Sequence, residues 1–161
     1  MTLAATSASA GPLPAAASSD PLSILVQLRL SPAASAHFAR YGGKLEVYAT
    51  YEGDAVPARR RALARLNEGQ EVPTPHNYAI GTAVARVRPT AQPVLLSNGE
   101  FDHKMIGWLK LPYVRVYASE DPADPAYGKG NALTSCDEIR VLLTAAKRSP
   151  VTLLCKLSSE R

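Results

Sequence analysis

Four stretches of this chain alternate apolar and polar residues with a period of two, and that pattern limits what the chain can fold into more than any other feature. Ile24, Val26, Leu28 and Leu30 share one face of the first stretch, and Leu45, Val47, Ala49 and Tyr51 share one face of the second. Val114, Val116 and Ala118 repeat the pattern, as do Val151, Leu153, Cys155 and Leu157. Successive side chains of an extended backbone point to opposite faces, so each stretch reads as a strand with one face toward a core. Tyr78 to Arg88 is a further strand rich in small residues, and Val94 to Leu96 is a short one. Asn98-Gly99 follows as the strongest hairpin-turn signal, with Glu100 to Ile106 as its continuation. Short strands separated by long loops predict a mainly β protein. The expected form is a single antiparallel β-sandwich, or a barrel-like variant of it, with one or two short helices.

The helices have local signals. Ser31-Pro32 supplies an N-cap and a proline at the first helical position, and Gly42 a C-terminal stop, so residues 32–41 form a short helix. Pro57 to Pro75 reads as a long connection with a helical turn over Arg59 to Leu66. A second helix is predicted over residues 136–148. Ser135 and Glu138 make a capping box, Lys147 and Arg148 suit the negative end, and Pro150 is the stop. Ile139, Leu142, Leu143 and Ala146 would then share one helical face, giving a C-terminal helix-strand unit.

The only two cysteines, Cys136 and Cys155, lie at the start of that helix and within the last strand. A strand folding back along the helix covers a comparable length, ~15 to 20 Å, so the pair reads as a disulfide. Two buried free thiols, or a reactive Cys136 at the helix N-terminus, are the alternatives. A disulfide places the chain in an oxidising compartment, periplasmic or secreted. Residues 1–20, built almost entirely of Ala, Ser, Thr, Gly and Pro, agree with either of two readings. Ala8-Ser9-Ala10 resembles the small-residue end of a secretory signal that lacks its basic and apolar regions, and the whole stretch equally suits a disordered tail. Residues 21–161 are taken as a single β-rich domain. No apolar run approaches the ~18 residues that a membrane-spanning helix needs, although association with a membrane surface stays open.

The formal net charge of +4 is local: between Arg59 and Arg88 six arginines face two glutamates, and the remaining twelve basic and twelve acidic residues balance. Arg59, Arg60, Arg61 and Arg65 form a basic patch that suits a polyanion. No aromatics are interleaved with it, and an exported protein seldom meets nucleic acid, so a solvated face is the better reading.

Catalytic chemistry is thinly represented. His37 lies in the first helix, His76 in a proline-flanked loop, and Asp102-His103 as neighbours that point opposite ways in an extended segment. The Asp-Pro steps at Asp121 and Asp124 read as turn starters rather than calcium ligands, and Gly128-Lys129-Gly130-Asn131 lacks phosphate-loop spacing. No catalytic residue, metal or cofactor is expected.

Recognition is better represented. With Val114, Val116 and Ala118 turned to the core, Tyr113, Arg115 and Tyr117 project together from the other face, and Tyr48 projects outward from another strand. Tyr and Arg are enriched in binding hot spots, although the same row also fits a second core layer beneath a helix or loop. The resulting expectation is an exported noncatalytic protein that recognises another protein, inhibitor-like or immunity-like in form. A carbohydrate-binding module using Tyr48, Tyr113, Tyr117, Tyr127 and Trp108 is the alternative, followed by a small hydrolase built on Asp102 or His103, or a structural envelope protein.

Overall fold

The computed structural model describes residues 20–69, 77–97 and 102–160. The N-terminal segment through residue 19, His76 and the Asn98-Gly99 turn lie outside the described residues.

The alternating stretches are strands. They are β1 (Ile24–Leu30), β2 (Leu45–Gly53), β5 (Tyr113–Glu120) and β8 (Val151–Leu157), with β3 (Tyr78–Val87) and β4 (Val94–Leu96) where the sequence places them. Together with β6 (Thr134–Cys136) and β7 (Ile139–Leu142) they build one eight-stranded sheet in the order β3-β2-β5-β6-β8-β1-β4, and β7 pairs with β5 alongside β6. The end strands β3 and β4 approach each other, so the sheet is a nearly closed barrel. All the pairings are antiparallel except β1 with β8, which runs parallel from Val26↔Val151 to Leu30↔Cys155. Ile24, Val26, Leu45, Val47, Val114, Val116 and Leu153 fill the interior, all at 2% exposure or less. Tyr51 joins them, with its hydroxyl satisfied by the Leu22 carbonyl at 2.5 Å.

Helix α1 (Pro32–Tyr41) has the caps its sequence calls for. The Ala34 N–H donates to Ser31 Oγ at 3.0 Å, and Gly42, at φ 72°, donates its own N–H to the Phe38 carbonyl. Helix α2 (Arg60–Leu66) buries Leu63 and is tied to β3 by Asn67. That side chain donates to the carbonyls of Leu63 and Ala79 and accepts from the Ala79 N–H, standing in for a missing strand at the β3 edge.

Two local expectations are overturned. Residues 136–148 are not one helix: Cys136 ends β6, Ile139–Leu142 is β7, and only α3 (Leu143–Ala146) is helical. Ile139 and Val141 are β-branched and fit a strand as well as a helical stripe. The free edge of β5 accepts them from Val116↔Ile139 to Tyr113↔Leu142, so tertiary pairing overrides the capping-box signal. Likewise, the described part of Glu100 to Ile106 does not continue as a strand, because residues His103–Trp108 form a 3-10 turn capped by the Asp102 side chain.

The disulfide is present by a different route from the one expected. Cys136 and Cys155 are direct partners across the β6–β8 ladder, with Cα atoms 3.8 Å apart. Beyond them β7 stays with β5 while β8 stays with β1, so the bridge sits where the sheet divides.

Candidate functional site

The outer face of β2 and β5 is assembled by register. Tyr48 stands opposite Tyr117, Thr50 opposite Arg115, and Glu52 opposite Tyr113; β7 adds Arg140 beside Arg115. All four residues singled out for recognition, Tyr48, Tyr113, Arg115 and Tyr117, therefore form one continuous patch. Each is half-buried, neither a second core layer nor a fully solvated row.

Their side chains hold one another in place. Tyr48 and Tyr117 stack with ring centroids 4.8 Å apart and planes 10° from parallel. The Arg140 guanidinium lies over the Tyr113 ring at 4.3 Å. It also reaches Glu52 at 2.8 Å and donates to Asn77 Oδ1 at 2.6 Å. Arg115 lies 3.5 Å from Glu52 and 3.9 Å from Glu138, and its buried Nε makes no hydrogen bond. Such stacked and ion-paired side chains lose little further freedom when a partner arrives.

Glu46 anchors the other end of the patch. The Tyr48 hydroxyl donates to its carboxylate, and Arg86 Nε lies 2.7 Å away. These two donors hold the Glu46 pKa below the usual carboxylate value, while the bond to Glu46 pushes Tyr48 up to about 12. Arg86 also lies 3.5 Å from buried Asp121, so one guanidinium serves two carboxylates. Glu120 turns to the interior side, 3.6 Å from His37 Nε2, and accepts from the Thr134 N–H at 2.7 Å. The Gly128 N–H also donates to it at 3.3 Å, so Glu120 pins the 120–131 loop to β6.

A groove of about 370 Å³ opens where this loop meets the sheet, with Tyr48, Glu46, Glu120, Tyr127, Leu133 and Thr134 in its wall. Tyr127 and Leu133 stand 46% and 40% exposed there. Sequence reasoning did not find this groove, nor the roles of Glu46, Glu52 and Arg140. The alternation marked Glu46 as outward-facing but could not show which loop would come to lie beside it.

The remaining candidates are dispersed. Arg59, Arg60, Arg61 and Arg65 are all exposed at and along α2, and Arg59 also lies over the Trp108 ring at 5.0 Å. Trp108 itself is half-buried against the core. Asp102 caps a turn and His103 lies 3.5 Å from Asp20, so each has a structural partner. Asp121 and Asp124 accept from the Ala123 and Ala126 N–H groups, as turn-starting residues do. No described helix is long and apolar enough to cross a membrane. Comparison with family models, with curated proteins and with solved structures finds no significant match.

Proposed function

We propose that this chain is an exported, noncatalytic binding protein that recognises another protein through the outer face of β2 and β5, an inhibitor or immunity-like role being one concrete form. The observation that carries the reading is the interlocked patch of Tyr48 on Tyr117 and Arg140 on Tyr113. Rigid aromatic and arginine side chains provide contact area at small entropic cost, which is why they dominate interface hot spots. The disulfide is compatible with an extracellular or periplasmic site of action.

A protein partner suits this patch better than a glycan does. Sugars stack on free ring faces, and here Tyr48, Tyr117 and Tyr113 already have a face covered by one another or by a guanidinium. The glycan reading keeps support from Tyr127, whose exposed ring stands beside the groove.

Capture of partners from envelope extracts, with the wild type and with Tyr113, Arg115 and Tyr117 all changed to alanine, tests the proposal. Removing hot-spot residues should weaken capture at least about thirtyfold, the effect of losing ~2 kcal/mol. Capture that is indifferent to all three changes would remove this face from consideration. A glycan array probed with the same two proteins separates the second reading.

A further inference from the structure

The geometry points to the chemistry of the partner: the groove beside Tyr48 receives a basic side chain, an arginine or a lysine, that anchors the partner to the outer face. This inference rests on the recognition reading above and gives it a ligand class.

Charge is the first argument. Glu46 and Glu120 lie in the groove wall, and among the described residues no lysine, arginine or histidine lines it. On the same outer face, Arg86 is shared between Glu46 and Asp121, leaving one guanidinium for two carboxylates, and His37 approaches Glu120 at 3.6 Å. Glu46, Glu120 and, next to them, Asp121 are all buried, at 4 to 6% exposure; each accepts hydrogen bonds from its neighbours, but a single guanidinium stands against three carboxylates, so the negative charge is in excess. The chain as a whole carries +4, so this anionic concavity runs against its net charge. A buried carboxylate gains most from an incoming cation that donates hydrogen bonds.

Shape is the second argument. The volume of about 370 Å³ falls in the range of built ligand pockets, and the exposed Tyr127 and Leu133 give it apolar walls that the fold itself does not cover. Ring faces and apolar walls accept the alkyl stem of a basic side chain, and tyrosine faces attract its charged head. Thr134, in the same wall and 1% exposed, keeps a hydroxyl with no hydrogen-bond partner, a spare polar group for such a head. A neutral sugar would use the tyrosines but leave the carboxylate charge unanswered.

The test is an NMR titration of the full chain with N-acetyl-arginine amide, its neutral citrulline counterpart, and cellobiose. The arginine probe should shift the Tyr127, Leu133 and Ser119 amides and bind roughly tenfold more tightly than the citrulline probe, an advantage that added salt erodes. Tyr127→Ala, a change at an exposed side chain, should weaken arginine binding several-fold while leaving distant amides unmoved; Glu46→Gln should abolish the preference for arginine over citrulline. Equal responses to arginine and citrulline, no response to either, or a response to cellobiose alone would overturn the inference. A protein that loses partner capture on Tyr117→Ala but ignores the arginine probe retains the recognition face and loses the cationic anchor. An arginine response with capture untouched by Tyr117→Ala supports the groove chemistry and removes the face.

Discussion

On one side of β5 the sheet is knitted by long ladders, and on the other by short ones joined by a covalent bridge. β2 pairs with β5 without interruption from Leu45↔Glu120 to Glu52↔Tyr113, and with β3 along its whole length apart from one bulge. On the opposite side β5 meets β6 through a single pair, Ser119↔Ser135, and β7 through four, while β6 meets β8 through three, one of which is the disulfide. Long ladders fix the positions of outward side chains without further help, so polar and aromatic groups can be stacked into a rigid patch there. Short ladders leave little main-chain pairing to resist opening, and the cross-link supplies what they lack.

Four measurements would break or sharpen that contrast. The largest effect is expected at the bridge: Cys136→Ser should lower unfolding stability by ~3 kcal/mol, read from the midpoint in denaturant, because closure of a loop spanning 19 residues is lost. An unchanged midpoint under oxidising conditions would mean that β6 and β8 hold without it. Next, Asn67→Ala should cost ~2 kcal/mol, since it leaves the Ala79 N–H and two carbonyls without their side-chain partner. Hydrogen exchange should then quicken at the start of β3 while the β2–β5 ladder stays protected. If protection falls throughout β2 and β5, the ladders are less autonomous than argued.

Ser31→Ala should cost ~1 kcal/mol through loss of the α1 cap, together with the bond from Ser31 Oγ to Glu160 at 2.6 Å that ties α1 to the end of β8. The smallest effect is the pH response of the Glu46–Tyr48 pair. Glu46 has its pKa lowered in the folded protein, so its contribution is present above the ordinary value of 4.5 and fades as pH falls through the lowered one. Tyr48 has its pKa raised, so its contribution is complete below the ordinary 10.0 and is lost as pH climbs to about 12. Tyr48→Phe should flatten the alkaline limb of stability and remove a late component from the tyrosinate absorbance titration. Buried Tyr51, whose burial also raises its pKa, should keep a late component of its own, so a titration unchanged by Tyr48→Phe would show that Tyr48 is not held by Glu46.

Much of the fold was legible because its signals are local. The α1 caps at Ser31 and Gly42, and the four alternating strands, depend on neighbouring residues and came out as the sequence predicts. The stretch over 136–148 misled for the same reason. Ser135, Glu138 and the apolar spacing of Ile139, Leu142 and Leu143 satisfy a helix locally, and nothing nearby in sequence announces that β5 has an edge to fill. The cysteine pairing was anticipated even so, since pairing required only that the two segments return to each other. The candidate site was legible as the row Tyr113, Arg115 and Tyr117 with Tyr48, but the groove beside it was not. It combines β2 and β5 with residues of the 120–131 loop and β6, which Glu120 holds through the Thr134 N–H.

The amino-acid sequence by itself determined which residues of β1, β2, β5 and β8 face inward, where α1 begins and ends, and that two cysteines were available to pair. Those properties follow from backbone geometry over a few residues. Only the tertiary structure decided that the outward-facing Glu46, Thr50 and Glu52 would be as buried as core residues, and that Tyr48 would stack on Tyr117. Burial on an outer face is made by neighbours far away in the chain, among them Arg86, Arg115 and Arg140, and no local pattern records which of them will arrive.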